Sequence, residues 1–349
     1  MVSIQEILKK ARQENCSDVH ITQGSPISIR KNGVLISTDM KPDMLETEKL
    51  ILSLCSEKQI AELKQGKDQD FAYSLPDGTR HRVNVYGQMN GLAAAIRIIN
   101  DKIPSLESLK LPDILRELAE QPRGLVLITG PTGSGKSTTL AAMVDHISKN
   151  RSDHILTVED PIEYVFDQNR SLIHQREVGE TVESFAAALR SAMREDPDII
   201  LVGEMRDYET ISTAITAAET GHLVLSTLHT QGASQTIDRI IDTCPPGIQK
   251  QMRGQLSMVL RGIITQQLLP MASGEGRIAA TEILIGTDAV ANLIREDKCY
   301  QLPSVMQSSK AMGMHTMNGD LAMLLKQGII TKETAVSASS DKKDLAYSI

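Results

Sequence analysis

Residues 130–137 read GPTGSGKS and match the phosphate-loop pattern G-x-x-x-x-G-K-[ST] at every fixed position. The apolar run LVLIT at 125–129 comes directly before them, and a segment with helical spacing of its apolar residues follows. That apolar stripe consists of Leu140, Met143, Val144 and Ile147. A strand, a glycine-rich turn and a helix in this order are the context that a phosphate loop needs, so the stretch predicts a nucleotide site.

The glycines of this loop allow backbone N–H groups to turn inward toward phosphate, and the helix N-terminus adds positive potential. We expect Lys136 to reach the β- and γ-phosphates and the Ser137 hydroxyl to ligate Mg²⁺. The residues predicted to bind the nucleotide are Gly130, Pro131, Thr132, Gly133, Ser134, Gly135, Lys136, Ser137 and Thr138. The alternative is a glycine-rich turn that binds nothing, which the matching flanks disfavour.

Around the loop, strand-like and helix-like segments alternate along the chain. In order they read GLVLITG, TTLAAMVDHISKN, HILTVED, SFAAALRSAMRED, IILVGE, YETISTAITAAETG and LVLSTLH. Such alternation predicts parallel strands joined by crossover helices, which is an α/β domain.

The chain before residue 100 has a different pattern. Its strand signals are VHIT, ISIRKNGVLI with an Asn32-Gly33 hairpin turn, RHRVNVYG and LAAAIRII, and the helical stretch LETEKLILSLCSEKQIAELKQG interrupts them. The segment IPSLESLKLP then carries two prolines and suits a linker. We therefore predict a smaller α+β domain at 1–100, a linker at 101–112, and an α/β domain with a C-terminal helical region at 113–349.

Acidic residues follow one of the predicted strands, at the position where ligands bind in an open α/β sheet. TVEDPIEY places Glu159, Asp160 and Glu163 there, and Pro161 fixes the turn that carries them. Acids beside a phosphate loop can hold Mg²⁺ directly or through water, so these three join Ser137 as the predicted metal ligands. For each acid alone, solubility is an equally good explanation.

A glutamate and two histidines stand at the ends of the next two strands. IILVGE ends on Glu204, and LVLSTLHT places His229 after its strand, with His222 just before it. We predict that Glu204 orients or deprotonates a water in line with the γ-phosphate, while Gly203 leaves room for close approach. His229 is predicted to sense the γ-phosphate, and a structural histidine is the alternative.

Two pairs of arginines are candidates for stabilising charge on the transferred phosphate. Arg190 and Arg194 lie four residues apart on one flank of the helix predicted over SFAAALRSAMREDPD, where solvated arginines are the alternative. Arg82 lies on the polar face of RHRVNVY, and Arg97 interrupts the apolar run AAAIRII, where it needs a charged partner. We expect Arg82 and Arg97 to act as arginine fingers, with the linker as the hinge that brings them to the nucleotide.

Composition argues against several other functions. Lys plus Arg total 37 against 44 Asp plus Glu, a net charge of −7, so the basic excess of non-specific nucleic-acid binding is missing. The aromatic content of 3% leaves few platforms for base stacking. No apolar run approaches the roughly 20 residues of a membrane span, and the N-terminus resembles an amphipathic helix more than a signal peptide. We therefore expect a cytoplasmic protein without direct membrane insertion and without a nucleic-acid partner.

These motifs together resemble the PilT-type retraction ATPases of the type IV pilus, within the wider secretion ATPase group that includes GspE and PilB. The resemblance is carried by GPTGSGKSTTLAAM (130–143), HILTVEDPIEY (154–164), QREVG (175–179), ALRSAMREDPDIILVGEMRD (188–207) and TAAETGHLVLSTLHT (216–230). They correspond to the Walker A, Asp box, Walker B and His box of the family. In the first domain, SDVHIT (17–22) and RVNVYGQ (82–88) also resemble PilT segments.

The resemblance implies a PAS-like first domain and a RecA-like ATPase domain, assembled as a homohexameric ring that binds ATP and Mg²⁺ between subunits. It implies that Glu204 is the catalytic glutamate and that His222 and His229 are the His-box residues. Arg82 and Arg97 would face the nucleotide. Domain closure around ATP would drive retraction through an inner-membrane platform protein, which would hold the ring at the inner face of the cytoplasmic membrane.

Two observations bear on the direction of the motor. PilB and GspE usually carry a tetracysteine zinc motif and an extra N-terminal domain, whereas the four cysteines here form no C-x-x-C pair, which favours retraction. Residues 289–296 read AVANLIRE where PilT proteins commonly carry AIRNLIRE, so Ala291 stands in the place of the first arginine of that segment.

Three other functions remain as alternatives. An assembly or secretion ATPase of a related type II or type IV system would use the same fold. A nucleic-acid motor would be stimulated by DNA in a salt-dependent way, which the net charge of −7 disfavours. A nucleotide-binding regulator would bind ATP without releasing phosphate.

Overall fold

The computed structural model of the protein describes residues 3–14, 16–31, 33–99 and 102–349. The chain divides into two compact units. The first comprises Met1–Lys102 together with Pro161–Val165, and the second comprises Ile103–Asp160 and Phe166–Ile349.

Helices and strands account for most of the described chain. The helices are α1 (Ile4–Gln13), α2 (Met44–Leu52), α3 (Glu57–Leu63), α4 (Ile114–Ala119), α5 (Lys136–Asn150), α6 (Phe185–Ala192), α7 (Tyr208–Glu219), α8 (Ala233–Asp242), α9 (Gln249–Val259), α10 (Asp288–Arg295), α11 (Leu302–Ser308), α12 (Met317–Lys326), α13 (Lys332–Ala338) and α14 (Lys342–Ser348). The strands are β1 (Asp18–Thr22), β2 (Ser28–Lys31), β3 (Val34–Ser37), β4 (Gln69–Ser74), β5 (Arg80–Gln88), β6 (Gly91–Ile98), β7 (Gly124–Thr129), β8 (His154–Glu159), β9 (Leu172–Glu177), β10 (Ile199–Val202), β11 (Leu223–Leu228), β12 (Leu260–Pro270) and β13 (Arg277–Ile285).

In the described residues of the first unit, antiparallel strands form a six-stranded sheet in the order β3-β2-β1-β6-β5-β4. Alternation decides which face is buried, because successive side chains of a strand point to opposite sides. In β5, Val83 and Val85 are fully buried and Asn84 between them is partly exposed. Helix α1 begins with a capping box between Ser3 and Glu6 and adds Ile7 to the same core. The PAS-like assignment of this unit stays a prediction.

The described strands of the second unit form a seven-stranded sheet in the order β13-β12-β7-β11-β10-β8-β9. Each neighbouring pair from β12 to β9 is parallel, and β13 pairs with β12 antiparallel. β7 and β11 are buried at every position, which explains why both are continuous apolar runs. Parallel strands with crossover helices confirm the predicted α/β class.

This parallel arrangement brings several strand ends to one edge of the sheet. β11 pairs with β7 on one side and with β10 on the other. The phosphate loop follows β7, His229 follows β11, and Glu204 follows β10. The segments that carry the predicted chemistry are therefore neighbours in space.

The structure differs from the sequence-based expectation in some elements. The sequence pattern does not predict four of the strands, β4, β9, β12 and β13. β9 lies at an edge of the sheet and carries several polar residues, so it lacks the apolar run of a central strand. The long helical stretch of the first unit is two helices, because Ser56 and Gln59 form a capping box that starts α3. Asn32 of the predicted hairpin turn lies outside the described residues, as do Asn100 and Asp101 at the predicted domain boundary.

The predicted linker and second domain are also divided differently. From Lys102 to Pro112 the described residues form no helix or strand, and those from Ile103 onward belong to the second unit. Pro161–Val165, predicted within the second domain, is grouped with the first unit. Among the described helices, none is long and apolar enough to cross a membrane.

Gly286, which follows β13, provides a test of the packing between β12 and β13. A Cβ added there would meet the carbonyl group of Leu260, with the carbonyl carbon at 2.8 Å. Because backbone atoms cannot rotate away, we expect Gly286→Ala to lower the free energy of unfolding by about 1–3 kcal/mol. Denaturant unfolding followed by circular dichroism measures the loss.

Gly247→Ala is the matched control, since a Cβ at Gly247 has no heavy atom within 4 Å. We expect it to unfold within about 0.5 kcal/mol of the wild type. Equal unfolding free energies for the two variants would contradict the close approach at Gly286.

Candidate nucleotide-binding site

The phosphate loop joins the end of β7 to the start of α5. Gly130, Gly133 and Gly135 have φ angles of 138°, 79° and 89°, in the region that favours glycine. A Cβ on Gly130 would also meet the backbone carbonyl oxygen of Gln266, so this loop lies directly against β12. The predicted glycines are therefore required by the path of the chain itself.

Lys136 and Ser134 place polar groups inside the loop. Lys136 is 8% exposed, and its Nζ donates to the carbonyl oxygens of Gly130 at 2.8 Å and Pro131 at 3.1 Å. The Ser134 hydroxyl is buried and has no hydrogen-bond partner in the described part of the chain. An anion in the loop would pair with the ammonium and offer the hydroxyl an acceptor, so these residues fit the phosphates of a nucleotide.

Gln266 on β12 supports the loop, although nothing in the sequence analysis pointed to it. Its Nε2 donates to the Ser134 carbonyl oxygen at 2.6 Å, and its Oε1 accepts from the Thr139 hydroxyl at 2.9 Å. Gln266 is 2% exposed, so both ends of its amide are paired out of solvent. A glutamine inside the apolar strand LRGIITQQLLP is the signal that could have found it, because a buried amide needs partners.

His229 connects the loop to Glu204. Its Nδ1 lies 3.5 Å from Lys136 Nζ, and its Nε2 lies 3.4 Å from one carboxylate oxygen of Glu204. The other Glu204 oxygen contacts the Arg206 guanidinium at 2.6 Å, and the Glu204 side chain is only 13% exposed. The structure thus brings the predicted lysine, histidine and glutamate together at three neighbouring strand ends.

Neighbouring strands hold the turn at Gly203 that carries Glu204. The Gly203 N–H donates to the Val158 carbonyl oxygen at 2.8 Å, and the Thr227 hydroxyl donates to the Gly203 carbonyl oxygen at 2.6 Å. A Cβ on Gly203 would lie 3.3 Å from that Val158 oxygen. Glycine is therefore used here for close approach between β10 and β8.

A cleft of about 330 Å³ opens beside Glu204, at the lower end of the range for small-molecule sites. Its lining residues are Glu204, Met205, Arg206, Thr227, Leu228, His229, Thr230 and Arg239. The cleft therefore offers a carboxylate, an imidazole and two guanidinium groups to a charged ligand.

The structure does not bring the predicted acidic metal ligands into one cluster. Glu159 accepts hydrogen bonds from the Thr157 hydroxyl at 2.7 Å and the Gln175 amide at 3.2 Å. Glu163 belongs to the first unit, whereas Asp160 ends a segment of the second. Within the described ranges, no group of three or more His, Cys, Asp or Glu side chains is arranged to hold a metal ion.

His222 lies at the edge of the sheet opposite the phosphate loop, because it precedes β11. Its Nδ1 contacts the Ala217 carbonyl oxygen at 2.9 Å, and its own carbonyl oxygen accepts from the Gly124 N–H at 3.0 Å. The length of β11, about 20 Å, separates it from the loop. The structure therefore does not place His222 at the site of its own chain, unlike His229.

Helix α6 ends at Ala192, before the end of the predicted helix, so Arg190 lies on it and Arg194 follows it, and both have partners on the protein. Arg190 forms an ion pair with Glu209 in the first turn of α7. The Arg194 guanidinium donates to the Arg190 carbonyl oxygen at 3.2 Å. Their role as charge stabilisers stays a prediction.

In the first unit, Arg97 lies between Asp18 and Arg82 across the strands β1, β6 and β5. Its Nε contacts Asp18 at 3.2 Å, which is the charged partner that the sequence required, and Arg82 pairs with Asp70 at 2.8 Å. The two predicted arginine fingers are therefore adjacent on one face of this sheet. Their approach to a nucleotide stays a prediction.

A parallel sheet, a glycine loop around a buried lysine, and a glutamate-histidine pair at the next strand ends together define a P-loop ATPase. Within this class, the chain belongs to the Type II/IV secretion system protein family, whose sequence profile matches residues 1–333.

Similar proteins cover most of the chain. It is 44% identical over 335 residues to the type IV pilus retraction ATPase PilT of Pseudomonas aeruginosa, covering 96% of this chain and 97% of that protein. A twitching motility protein of Neisseria gonorrhoeae is 49% identical over 302 residues, covering 86% of this chain and 81% of that protein. The crystal structure of the pilus retraction motor PilT with bound ADP matches with a TM-score of 0.92 and 48% identity, covering 99% of this chain and 100% of that one. These findings confirm the resemblance found in the motifs.

Gln266→Ala tests the support of the phosphate loop. The change leaves the Ser134 carbonyl and the Thr139 hydroxyl without their partner. We expect the dissociation constant for ADP to rise by about tenfold, the effect of one or two lost buried hydrogen bonds. Fluorescence anisotropy of a labelled nucleotide, with unlabelled ADP as competitor, measures it.

Gln267→Ala is the control, because successive residues of a strand point to opposite faces and Gln267 therefore faces away from the loop. It should bind ADP like the wild type. If both variants lose affinity equally, or neither does, Gln266 does not hold the loop.

Proposed function

We propose that this chain is an ATP-hydrolysing motor that powers type IV pilus retraction and so twitching motility. The observation that carries the catalytic part is the series of contacts from Lys136 through His229 to Glu204. It joins a loop shaped for phosphates to a largely buried carboxylate that can act on water.

Each residue has a distinct role in ATP cleavage. Lys136 binds oxygens of the β- and γ-phosphates and offsets their charge, and the loop N–H groups hold the rest of the phosphate chain. Glu204 accepts a proton from the attacking water. The oxygen of that water bonds to the γ-phosphorus while the bond from phosphorus to the bridging oxygen breaks, giving ADP and phosphate. His229 lies between the two and senses whether the γ-phosphate is present.

The residues that bind phosphate also fit a magnesium ion. Ser137, directly after Lys136 at the start of α5, would supply a hydroxyl ligand to the ion. When bound, the ion would offset charge that develops on the phosphates. Glu159 and Asp160 follow β8 and are candidates for holding its waters.

The pilus assignment is supported by the similarity to PilT and to a twitching motility protein over most of the chain. We extend it to a homohexamer with ATP between subunits, in the cytoplasm at the inner face of the membrane. An inner-membrane platform protein would receive the motion. In this ring, Arg82, Arg97 and His222 would reach the nucleotide held by a neighbouring subunit.

An assembly or secretion ATPase is the second candidate, because the family description spans type II and type IV secretion systems. The chemistry at Glu204 would be the same in both. Only the direction of the motion separates the two functions.

Glu204→Gln tests the chemistry. The amide keeps the shape of the side chain but cannot accept the proton of water, so we expect kcat for phosphate release to fall at least about a hundredfold. The dissociation constant for ATP should stay within about twofold of the wild type, because Glu204 acts on the water. Glu180→Gln, which removes the charge of an exposed glutamate, should leave both quantities unchanged.

The direction of the motor is tested in cells whose only copy carries Glu204→Gln. If the motor retracts, surface pili accumulate and stop shortening when followed by fluorescence microscopy. Loss of surface pili would favour the assembly function, and normal pilus dynamics would contradict both candidates.

A further inference from the structure

Glu282 on β13 is a charged residue set between two hydrophobic cores. The residues two positions before and after it, on the same face of the strand, are Ala280 and Leu284, both 0% exposed. Ala280 belongs to a cluster with the apolar side chains of α12, and Leu284 belongs to the main cluster of the sheet. A carboxylate at this junction needs hydrogen-bond partners.

The partners of Glu282 are the first N–H groups of two helices. Its Oε1 accepts from the Ala233 N–H at 2.9 Å, and its Oε2 accepts from the Met317 N–H at 3.3 Å. Ala233 begins α8 and Met317 begins α12. The first N–H groups of a helix lack partners within it and favour negative charge. At α8 the N-cap residue is Gly232, which has no side chain, so Glu282 supplies the cap from another strand.

Helix α8 follows directly from the catalytic segment. His229 and Thr230, which line the cleft, are separated from Ala233 by Gln231 and Gly232 alone. The Thr230 hydroxyl is also hydrogen-bonded to that of Thr236 in α8 at 2.7 Å. The first turn of α8 is therefore connected to His229 both by a short stretch of chain and by this hydrogen bond.

Helix α12 and the residues just before it are hydrogen-bonded to β13 on both sides of Glu282. On one side, buried Asp320 accepts from the Thr281 N–H at 2.6 Å. On the other, the Ile283 N–H donates to the His315 carbonyl oxygen at 2.9 Å, just before α12. Three successive residues of β13 thus hold the start of the C-terminal helices.

We propose that Glu282 is a positioning residue for ATP hydrolysis, joining the C-terminal helices to the segment that carries His229. The two oxygens of one carboxylate hold α8 and α12 in a single arrangement, so movement of α12 changes the position of His229 against Lys136 and Glu204. Glu282 touches no substrate and acts through His229. The inference rests on the proposed ATPase function.

Glu282→Gln is the first test, because it keeps the shape of the side chain but turns an NH₂ donor toward one of the two helix N–H groups. We expect kcat to fall about tenfold or more, the effect of losing a hydrogen bond to a charged group, with the dissociation constant for ADP within about twofold of the wild type. Hydrogen exchange in a peptide covering 229–236 should be faster than in the wild type.

Glu275→Gln is the matched control, since it removes the same charge from the exposed turn between β12 and β13. It should change neither kcat nor the exchange of that peptide. Glu282→Asp is the second variant, which keeps the charge but is too short to reach both helices. It should show the same faster exchange, and it replaces Glu282→Gln if that protein does not fold.

A double-mutant cycle with His229→Ala separates positioning from a general loss of structure. If Glu282 acts through His229, adding Glu282→Gln to His229→Ala lowers kcat no further. Losses in kcat that multiply in the double variant would overturn the inference, as would wild-type kcat and exchange in Glu282→Gln. A wild type that binds ATP without turnover would instead overturn the proposed function, whereas unchanged exchange of 229–236 in Glu282→Gln would overturn the link between Glu282 and the segment that carries His229.

Discussion

The parallel register of β7, β11 and β10 is the constraint on which the site depends. Thr129 at the end of β7 pairs with Leu228 at the end of β11, whereas Val202 at the end of β10 pairs with Ser226. β10 therefore stops short of β11, and the chain that follows it can run beside the last residues of β11. This offset allows the glutamate after β10 to turn toward the histidine after β11, which in turn contacts the lysine of the phosphate loop.

Buried polar contacts, in addition to the strand register, hold the phosphate loop in place. The NH₂ group of the Gln266 amide donates to the loop, and its carbonyl oxygen accepts from the first turn of α5. The hydroxyls of Thr129 and Thr265 are hydrogen-bonded to each other at 2.8 Å. Fully paired polar groups in a low-dielectric interior are strong and directional, so they fix one geometry where apolar packing alone would tolerate several. The hairpin of β12 and β13 thus stiffens the base of the nucleotide site.

The same hairpin links the site to the C-terminal helices. Thr281 lies directly opposite Gln266 in the β12–β13 register, and the next residue, Glu282, caps both α8 and α12. The residue that contacts the phosphate loop and the residue that contacts the C-terminal helices therefore lie at adjacent positions of the paired strands β12 and β13. In a motor, a short and rigid connection of this kind favours the transmission of small displacements between the site of hydrolysis and the part that does work.

The phosphate loop, the α/β alternation and the strand-end places of Glu204 and His229 could be predicted from the sequence, because each depends on spacing within one short segment. The supports of the site could not. Gln266 and Ser134 are 132 residues apart, and Glu282 and Ala233 are 49 apart. The assignment of Pro161–Val165, which includes Glu163, to the first unit could not be predicted from the sequence either. Such contacts depend on strand order and register, which no local pattern of residues encodes. The motifs of the chain therefore predict which groups are candidates for the chemistry, whereas the groups that hold them in place become visible only once the strands are paired.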